Sequence, residues 1–236
     1  MLLKITNLCV VVDGLRVLEG IHVAIDEGRL VAVVGANGAG KSTLLRAISG
    51  LDKPCAGKIE FEGRDITGWQ PKAVAALGIA LVPEGKKLFY EMTVLENLKM
   101  GAYRFKEDAA RIDRNIERMF QLFPVLGENR NRIAGTFSGG EQQMLTIARG
   151  LMSDPKLLMI DELSLGLAPI VVETLMQTVK KLNGEGVSIL LVEQNVNQAL
   201  KIVDYGYVIE NGELALEGSG AELRDNAHVK AAYLGL

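Results

Sequence analysis

A glycine-rich segment carries the clearest chemistry in this sequence. It fits the pattern G-x-x-x-x-G-K-[ST] without a mismatch. Glycines let backbone N–H groups converge on phosphate oxygens, a lysine adds a full positive charge, and a serine hydroxyl suits Mg²⁺. The segment therefore predicts a site for the phosphates of a nucleotide. Its residues are Gly35, Ala36, Asn37, Gly38, Ala39, Gly40, Lys41, Ser42 and Thr43.

The sequence on either side of this loop supports that interpretation. Residues 30–34 form a short apolar, β-branched run, which is typical of a buried parallel strand. Residues 41–50 place Leu44, Leu45 and Ile48 on one helical face and end in a glycine. A helix that begins at the loop adds its N-terminal dipole to an anion site. The alternative is a strand-to-helix turn that binds nothing, and both spacing and context disfavour it.

Two consecutive acids follow a second apolar run. Asp161 and Glu162 come directly after residues 157–160, and ligands of α/β sheets bind at the carboxyl ends of strands. Asp161 is therefore a candidate ligand of Mg²⁺. Glu162 is a candidate general base that polarises an attacking water. The alternative is a pair of ordinary turn acids.

Two further polar segments are less specific on local grounds. Ser138, Gly139, Gly140 and Glu141 open a predicted helix, with a hydroxyl and bare backbone N–H groups that suit a second anion site. A simple helix cap is an equally good explanation of this segment. Gln194 follows an apolar run that ends at residue 192, and a solvated loop residue is as good an explanation there.

The composition limits the classes of protein. The chain has 236 residues, 48 % of them hydrophobic, which is enough for one large domain or a domain with an inserted lobe. A formal charge of −3 argues against a nucleic-acid partner, because such surfaces are normally basic. Cys9 and Cys55 form no C-x-x-C pair, which favours a reducing, cytoplasmic setting. No signal peptide or spanning segment is recognised, so a soluble protein is expected.

Periodicity indicates an α/β core that is interrupted by helices. Antiparallel strands are expected over residues 2–34, an edge strand at 58–61, and buried strands at 79–82, 157–160 and 187–192. Helical spacing dominates residues 85–157, with capping boxes at Thr93–Glu96 and Ser138–Glu141. Helices are also expected over residues 169–182 and around 199–203. A hairpin is predicted at Asn211-Gly212, and Ser219 with Glu222 caps a last helix.

Over its full length the chain resembles the ATP-binding subunits of ABC transporters. The resemblance rests on residues 35–43, on Phe137-Ser138-Gly139-Gly140-Glu141 at the position of the L-S-G-G-Q signature, and on residues 157–162. It implies an α/β fold: a P-loop NTPase core with a mixed sheet, an antiparallel β subdomain and an inserted α-helical subdomain. Residues 1–236 then form a single ABC ATPase domain, with the core at about 1–84 and 158–236 and the helical subdomain at about 85–157.

Four segments are most similar to the branched-chain amino-acid importer branch, and within it to the shorter of its two ATPases. They are residues 82–86, 137–144, 164–169 and 192–195. The resemblance implies ATP and Mg²⁺ as cofactors. The implied partners are a second ABC ATPase subunit, identical or related, transmembrane permease subunits and, indirectly, a solute-binding protein. The implied location is the cytoplasmic face of the plasma (inner) membrane.

The resemblance also implies residue roles. Ser42 and Asp161 serve Mg²⁺, Glu162 is the general base, and residues 164–168 form the D-loop of the dimer interface. Glu84 occupies the Q-loop position, which links nucleotide to the membrane subunit and can ligate Mg²⁺. Ser138, Gly139, Gly140 and Glu141 form the signature that meets the γ-phosphate held by the partner ATPase. Gln194 stands at the switch position that senses the γ-phosphate.

Several positions depart from the superfamily pattern. Glu84 replaces a glutamine, and Gln194 replaces a histidine, so its amide can donate a hydrogen bond but does not titrate near neutral pH. Leu163 replaces a proline, and Ala168 replaces the D-loop aspartate of many relatives. Asp13 stands where an aromatic residue normally stacks on adenine, which leaves Val17 to pack on the base. Modest ATP affinity is therefore expected.

Two other functional classes compete with an importer ATPase. A non-transport ABC protein would be a nucleotide-gated clamp on DNA, a ribosome or a cluster-assembly scaffold. Such clamps usually carry long coiled coils, a second ATPase domain or basic arms, and none is recognised here. A P-loop kinase or GTPase fits less well, because the sequence has no N-K-x-D motif and neither class has the signature.

Overall fold

Two β-sheets organise the computed structural model, which describes residues 1–234. A four-stranded antiparallel sheet has the order β2-β1-β4-β5, and a six-stranded sheet has the order β10-β9-β3-β8-β7-β6. In the larger sheet β9, β3, β8, β7 and β6 run parallel and β10 is antiparallel to β9. The strands are β1 Leu3–Val12, β2 Leu15–Ile25, β3 Leu30–Val34, β4 Ala56–Phe61, β5 Arg64–Asp65, β6 Ile79–Val82, β7 Leu157–Asp161, β8 Ser188–Glu193, β9 Tyr205–Glu210 and β10 Glu213–Ser219. The predicted mixed and antiparallel sheets are confirmed.

Helices connect and cover these strands. They are α1 Lys41–Ile48, α2 Pro71–Ala76, α3 Val94–Gly101, α4 Ala109–Leu122, α5 Pro124–Glu128, α6 Gly139–Leu151, α7 Pro169–Gly184, α8 Val196–Leu200, α9 Gly220–Asp225 and α10 Ala227–Val229. A π-helical segment follows at Lys230–Leu234. None of the helices in residues 1–234 combines the length and the apolar character of a membrane-spanning segment.

The central strands of the larger sheet are buried on both faces. Every residue of β3, β7 and β8 is buried, as the continuous apolar runs predict. Because side chains alternate across a strand, Ala32 and Val34 join one apolar cluster, and Val31 and Val33 join the other. The second cluster includes α1 and the antiparallel sheet. The sheet therefore fixes its loops between two packed layers.

The helices of the segment 85–157 share their core with the sheet. Leu98 of α3, Ile116 of α4 and Leu145 of α6 belong to the same cluster as the side chains of β3 and β7. The capping boxes predicted at Thr93 and Ser138 are confirmed, since in each the side chain and the backbone bond reciprocally to a glutamate three residues on. The division of the chain into a core and a helical subdomain stays a prediction.

Several predicted elements differ in extent. The strand at 58–61 is not an edge strand, because Glu62 (φ 51°) and Gly63 (φ 77°) form a tight turn that returns the chain as β5 beside it. Helix α2 was not predicted, although Pro71 at its first turn is a start signal. Helix α8 ends at Leu200, and the helix capped by Ser219 is followed by α10 and the π-helical segment.

Candidate functional site

The glycine-rich loop joins the end of β3 to the start of α1. A Cβ atom on Gly35 would lie 2.2 Å from the carbonyl oxygen of Ile209, and one on Gly40 would lie 2.5 Å from Cδ2 of Leu18. Gly40 also has φ 101°, which other residues rarely adopt, and it directly precedes Lys41. The close approach of the Ile209 backbone therefore requires glycine at position 35, and the left-handed backbone conformation favours glycine at position 40.

Lys41 holds its ammonium inside the loop. Only 3 % of its side chain is exposed, and Nζ donates hydrogen bonds of 3.0 Å to the carbonyl oxygens of both Gly35 and Ala36. The same nitrogen lies 3.6 Å from Oε1 of Glu162. A buried cation is thus centred on the loop, where the α1 N-terminus adds positive potential for a phosphate.

Ser42 and Asp161 meet where α1 faces the end of β7. The Ser42 hydroxyl donates to Oδ1 of Asp161 at 3.1 Å, and Asp161 is only 6 % exposed. Burial raises the pKa of Asp161 to about 6; the charges of Glu162 and Glu84 add to the shift, whereas the Ser42 hydrogen bond opposes it. An electron-rich carboxylate beside a hydroxyl is a donor set that a hard cation stabilises.

The oxygen donors at this edge fit Mg²⁺ as a cofactor shared with phosphate. Within residues 1–234, no cluster of three or more acidic, histidine or cysteine side chains forms a protein-only metal site. Mg²⁺ usually takes one or two protein ligands together with phosphate oxygens and water. The Ser42–Asp161 pair, next to the glycine-rich loop, has this composition.

Glu162 adopts a strained backbone conformation directly after β7. Its φ is 46°, in the left-handed region, and its N–H donates to the Val192 carbonyl oxygen at 3.0 Å. Its side chain is 11 % exposed and faces Lys41. The turn at Glu162 therefore brings a carboxylate to the phosphate loop, as required of a base that acts beside bound phosphate.

Sequence reasoning did not identify Glu193 and Ser164 as a pair. Glu193 ends β8 and is fully buried, and its carboxylate accepts from Ser164 N at 3.0 Å and from Ser164 Oγ at 2.7 Å. Burial raises the pKa of Glu193, with a further contribution from the charge of Glu162, whereas hydrogen bonds from Ser164 and from the Asn195 backbone oppose that shift. The same pattern that identified Asp161, an acid at the end of an apolar strand, could have identified Glu193.

The predicted signature segment begins α6. Ser138 is its N-cap, and a Cβ atom on Gly140 would lie 2.6 Å from Cγ1 of Val171, so that only glycine fits against α7. The Glu141 carboxylate accepts from the Ser138 N–H at 2.7 Å, and the hydrogen bonds from Ser138 lower the pKa of Glu141. Glu141 thus fixes the cap, leaving Ser138 exposed at the helix end.

The other predicted site residues occupy loops and strands around this edge. Glu84 is exposed after β6, and Gln194 is exposed between β8 and α8. Asp13 is exposed in the β1–β2 turn with φ 49°. Val17 is half-buried, and its carbonyl oxygen lies 3.1 Å from where a Cβ on Gly40 would be. Direct contacts therefore join Lys41 to Glu162 and Ser42 to Asp161. The roles of Glu84, Gln194, Asp13 and Val17 stay predictions.

A family profile and individual relatives both match this chain to ABC transporter proteins. The family profile described as ABC transporter matches residues 18–164. The chain is 45 % identical over 221 residues to the high-affinity branched-chain amino acid transport ATP-binding protein BraG of Pseudomonas aeruginosa, with 94 % of each chain covered.

Solved structures share the fold. The ADP conformation of MJ1267, an ATP-binding cassette of an ABC transporter, has a TM-score of 0.85 and 28 % identity over 100 % of this chain and 99 % of that one. The dimeric structure of MJ0796, a bacterial ABC transporter cassette, has a TM-score of 0.82 and 25 % identity over 92 % of this chain and 98 % of that one. The chain therefore belongs to the ABC transporter family, as a nucleotide-binding cassette that hydrolyses ATP.

Proposed function

We propose that this chain energises a membrane importer of branched-chain amino acids. The observation that carries the proposal is its 45 % identity to BraG, which extends over 94 % of both chains and so includes the helical segment as well as the nucleotide site. The chain's own chemistry is consistent with this task, because Lys41, Asp161 and Glu162 lie around one phosphate loop.

In the proposed reaction, residues 35–43 bind the phosphates of ATP. Backbone N–H groups and the Lys41 ammonium stabilise negative charge, and Ser42 and Asp161 hold Mg²⁺. Glu84 stands near enough to Asp161 to raise its pKa, so it is proposed as an outer partner of the same ion. When bound, Mg²⁺ supplies positive charge to the β- and γ-phosphates.

Glu162 is the proposed general base. Its carboxylate orients a water molecule and accepts its proton as the water oxygen bonds to the γ-phosphorus. The bond from that phosphorus to the β,γ-bridging oxygen breaks, leaving ADP and inorganic phosphate. The contact of 3.6 Å to Lys41 supports this role, because it places the carboxylate beside the group that binds phosphate.

We further propose that two cassettes close around two ATP molecules. Ser138, Gly139, Gly140 and Glu141 would face the γ-phosphate on the partner cassette. Gln194 would sense the γ-phosphate of the ATP that its own chain binds. Leu165, within residues 164–168, and Ile170, just after them, are exposed by 49 % and 70 %, which favours an apolar contact there. The second cassette is a copy of this chain or, as the branch resemblance implies, a related ATPase.

A groove of about 800 Å³ between the sheet and α3 is the proposed docking surface for a permease subunit. Its floor is apolar, and basic side chains surround it without an acidic one among the lining residues. The apolar lining includes Ile79, Leu81, Phe89, Met100 and Tyr103, and the basic lining is Lys72, Lys87, Arg104, Lys106 and Arg149. An apolar groove with a basic rim would accept a short cytoplasmic segment of the membrane protein that has an apolar face and an acidic end.

Docking on a permease places the chain at the cytoplasmic face of the inner membrane, with the solute-binding protein on the other side. The test is purification from native membranes in mild detergent, followed by reconstitution in vesicles with the recovered partners. ATP hydrolysis stimulated by leucine, isoleucine or valine is expected. If the purification recovers only soluble partners, the result contradicts the importer and favours the nucleotide-gated clamp. Stimulation by an unrelated solute would contradict the proposed cargo.

A further inference from the structure

Glu193 is a buried acid without a cationic partner. It is 0 % exposed at the end of β8, between β3 and β7, where it pairs in register with Val34. Within the described part of the chain, no lysine, arginine or histidine nitrogen lies within 4.0 Å of its carboxylate. Burying an ionisable group costs free energy unless hydrogen bonds replace the lost water. Ser164 supplies two hydrogen bonds that replace it, one from its N–H and one from its hydroxyl, and the backbone N–H of Asn195 adds a further interaction.

These hydrogen bonds anchor one end of the turn that contains Glu162. Ser164 is held by Glu193, and the Glu162 N–H is held by the preceding residue of the same strand, Val192, at 3.0 Å. Two consecutive residues of β8 therefore fix both ends of a three-residue turn.

The turn itself is strained. Glu162 has φ 46°, which is unfavourable for a residue with a side chain and persists only where the surroundings impose it. Without the Ser164 anchor, relaxation of this backbone would rotate the carboxylate of Glu162 away from Lys41.

We propose that Glu193 is a positioning residue that holds the proposed base Glu162 in register with the phosphate loop through Ser164. The inference rests on the proposed function of Glu162. It concerns hydrolysis by the cassette itself, and so it does not depend on the cargo or on the membrane partner.

Glu193→Ala removes both hydrogen bonds from Ser164, together with the interaction with the Asn195 backbone, and is the first test. Because displacement of a catalytic group by about 1 Å can cost about 100-fold in rate, kcat for ATP should fall roughly 10- to 100-fold. KM and the Kd for nucleotide should stay within about twofold, because the phosphate loop is untouched. An unchanged kcat, or an equal loss of nucleotide binding, would overturn the proposal.

Glu193→Gln is the conservative rescue. Its amide oxygen can accept from the Ser164 N–H while its NH₂ donates to the Ser164 hydroxyl oxygen, so the anchor survives without charge. Its kcat should stay within about threefold of the original value. A loss of kcat as large as that of Glu193→Ala would show that the hydrogen bonds to Ser164 do not maintain hydrolysis, and it would overturn the proposal.

Ser164→Ala keeps one of the two hydrogen bonds and should lower kcat severalfold. In the double variant with Glu193→Ala, the loss should be no greater than for Glu193→Ala alone, because both act through one contact. If Glu193→Ala does not fold, Ser164→Ala carries the test by itself, and an unchanged kcat would then overturn the proposal.

Ser188→Ala is the matched control. Ser188 is also a buried residue of β8, at the opposite end, and its hydroxyl accepts from the Gly28 N–H at 2.9 Å. Its loss should lower the unfolding temperature without lowering kcat. Reconstituted transport distinguishes the two proposals: an unexpected cargo would remove the branched-chain amino-acid assignment and leave the Glu193 effect on basal kcat intact.

Discussion

The ammonium of Lys41 lies 3.6 Å from the carboxylate of Glu162, and the two side chains are 3 % and 11 % exposed. One group is suited to binding phosphate and the other to accepting a proton from water. Their proximity at the edge of the sheet means that a phosphate bound by Lys41 would lie adjacent to the carboxylate that we propose activates the attacking water. Each residue can be tested separately, because binding and hydrolysis are different measurements.

Replacing Glu162 should separate hydrolysis from binding. Glu162→Gln keeps the shape of the side chain but removes the proton acceptor, so phosphate release should fall at least 100-fold. The Kd for ATP should rise by no more than a few-fold. A dimer that persists in ATP is expected by size-exclusion chromatography, because reopening of the dimer needs hydrolysis.

A control for this change is Glu173→Gln, which alters an exposed acid on α7. It should hydrolyse ATP at the original rate. Undiminished turnover in Glu162→Gln would remove Glu162 as the base, whatever the behaviour of the dimer.

Replacing Lys41 should affect binding itself. Lys41→Ala removes the buried ammonium from the loop, and the two carbonyl oxygens of Gly35 and Ala36 lose their donor. Nucleotide affinity or turnover should fall at least tenfold, measured by titration with a fluorescent ATP analogue and by phosphate release. Lys53→Ala changes an exposed lysine beyond α1 and should have no effect. Normal activity in Lys41→Ala would contradict the phosphate-site assignment.

The local elements of this site could be predicted because their determinants lie within a few residues. The glycine-rich loop, the capping boxes at Thr93 and Ser138 and the apolar strands each carry their own pattern. The acids at 161 and 162 were recognised for the same reason, since they directly follow an apolar run.

Of the contacts between distant segments, the resemblance implied the one between Ser42 and Asp161, but two others could not be predicted. Glu193 meets Ser164 because β8 lies beside β7. Lys41 meets Glu162 because β3, which leads into α1, and β7, which leads into Glu162, end at the same edge of the sheet. Strand order is a property of the whole chain, and no local pattern encodes it. The edge position predicted for β4 was wrong for a related reason, since its neighbour β5 has only two residues.

Asp161 should make the free protein less stable at neutral pH. Its pKa is raised from 3.8 to about 6, so its charged form is less favourable in the folded than in the unfolded state. This penalty is fully present above pH 6 and disappears as the pH falls through 6 toward 3.8. At pH 7.5, Asp161→Asn should therefore increase the free energy of unfolding by roughly 1 to 3 kcal/mol while abolishing hydrolysis.

Urea denaturation with EDTA and without nucleotide measures this effect. The gain from Asp161→Asn should shrink between pH 6 and pH 4, because the original carboxyl then becomes neutral. Asp113→Asn replaces an exposed acid on α4 and should change stability by less than about 0.5 kcal/mol at each pH. A gain that is independent of pH would mean that the charge of Asp161 is not its cause.

An aromatic residue at position 13 should strengthen nucleotide binding. Asp13 is exposed in the β1–β2 turn, and β2 continues past the phosphate loop, with the Val17 carbonyl oxygen close to Gly40. Stacking of a base on an aromatic ring is worth roughly 1 to 3 kcal/mol, so Asp13→Tyr should lower the Kd for ATP about tenfold. Asp13→Ala removes the charge without adding a ring and separates repulsion of the phosphates from stacking. If both variants gain equally, the charge of Asp13, and not the absence of an aromatic ring, limits the affinity for ATP. If neither gains and the original Kd matches that of aromatic-bearing relatives, the assignment of the adenine to this turn is wrong.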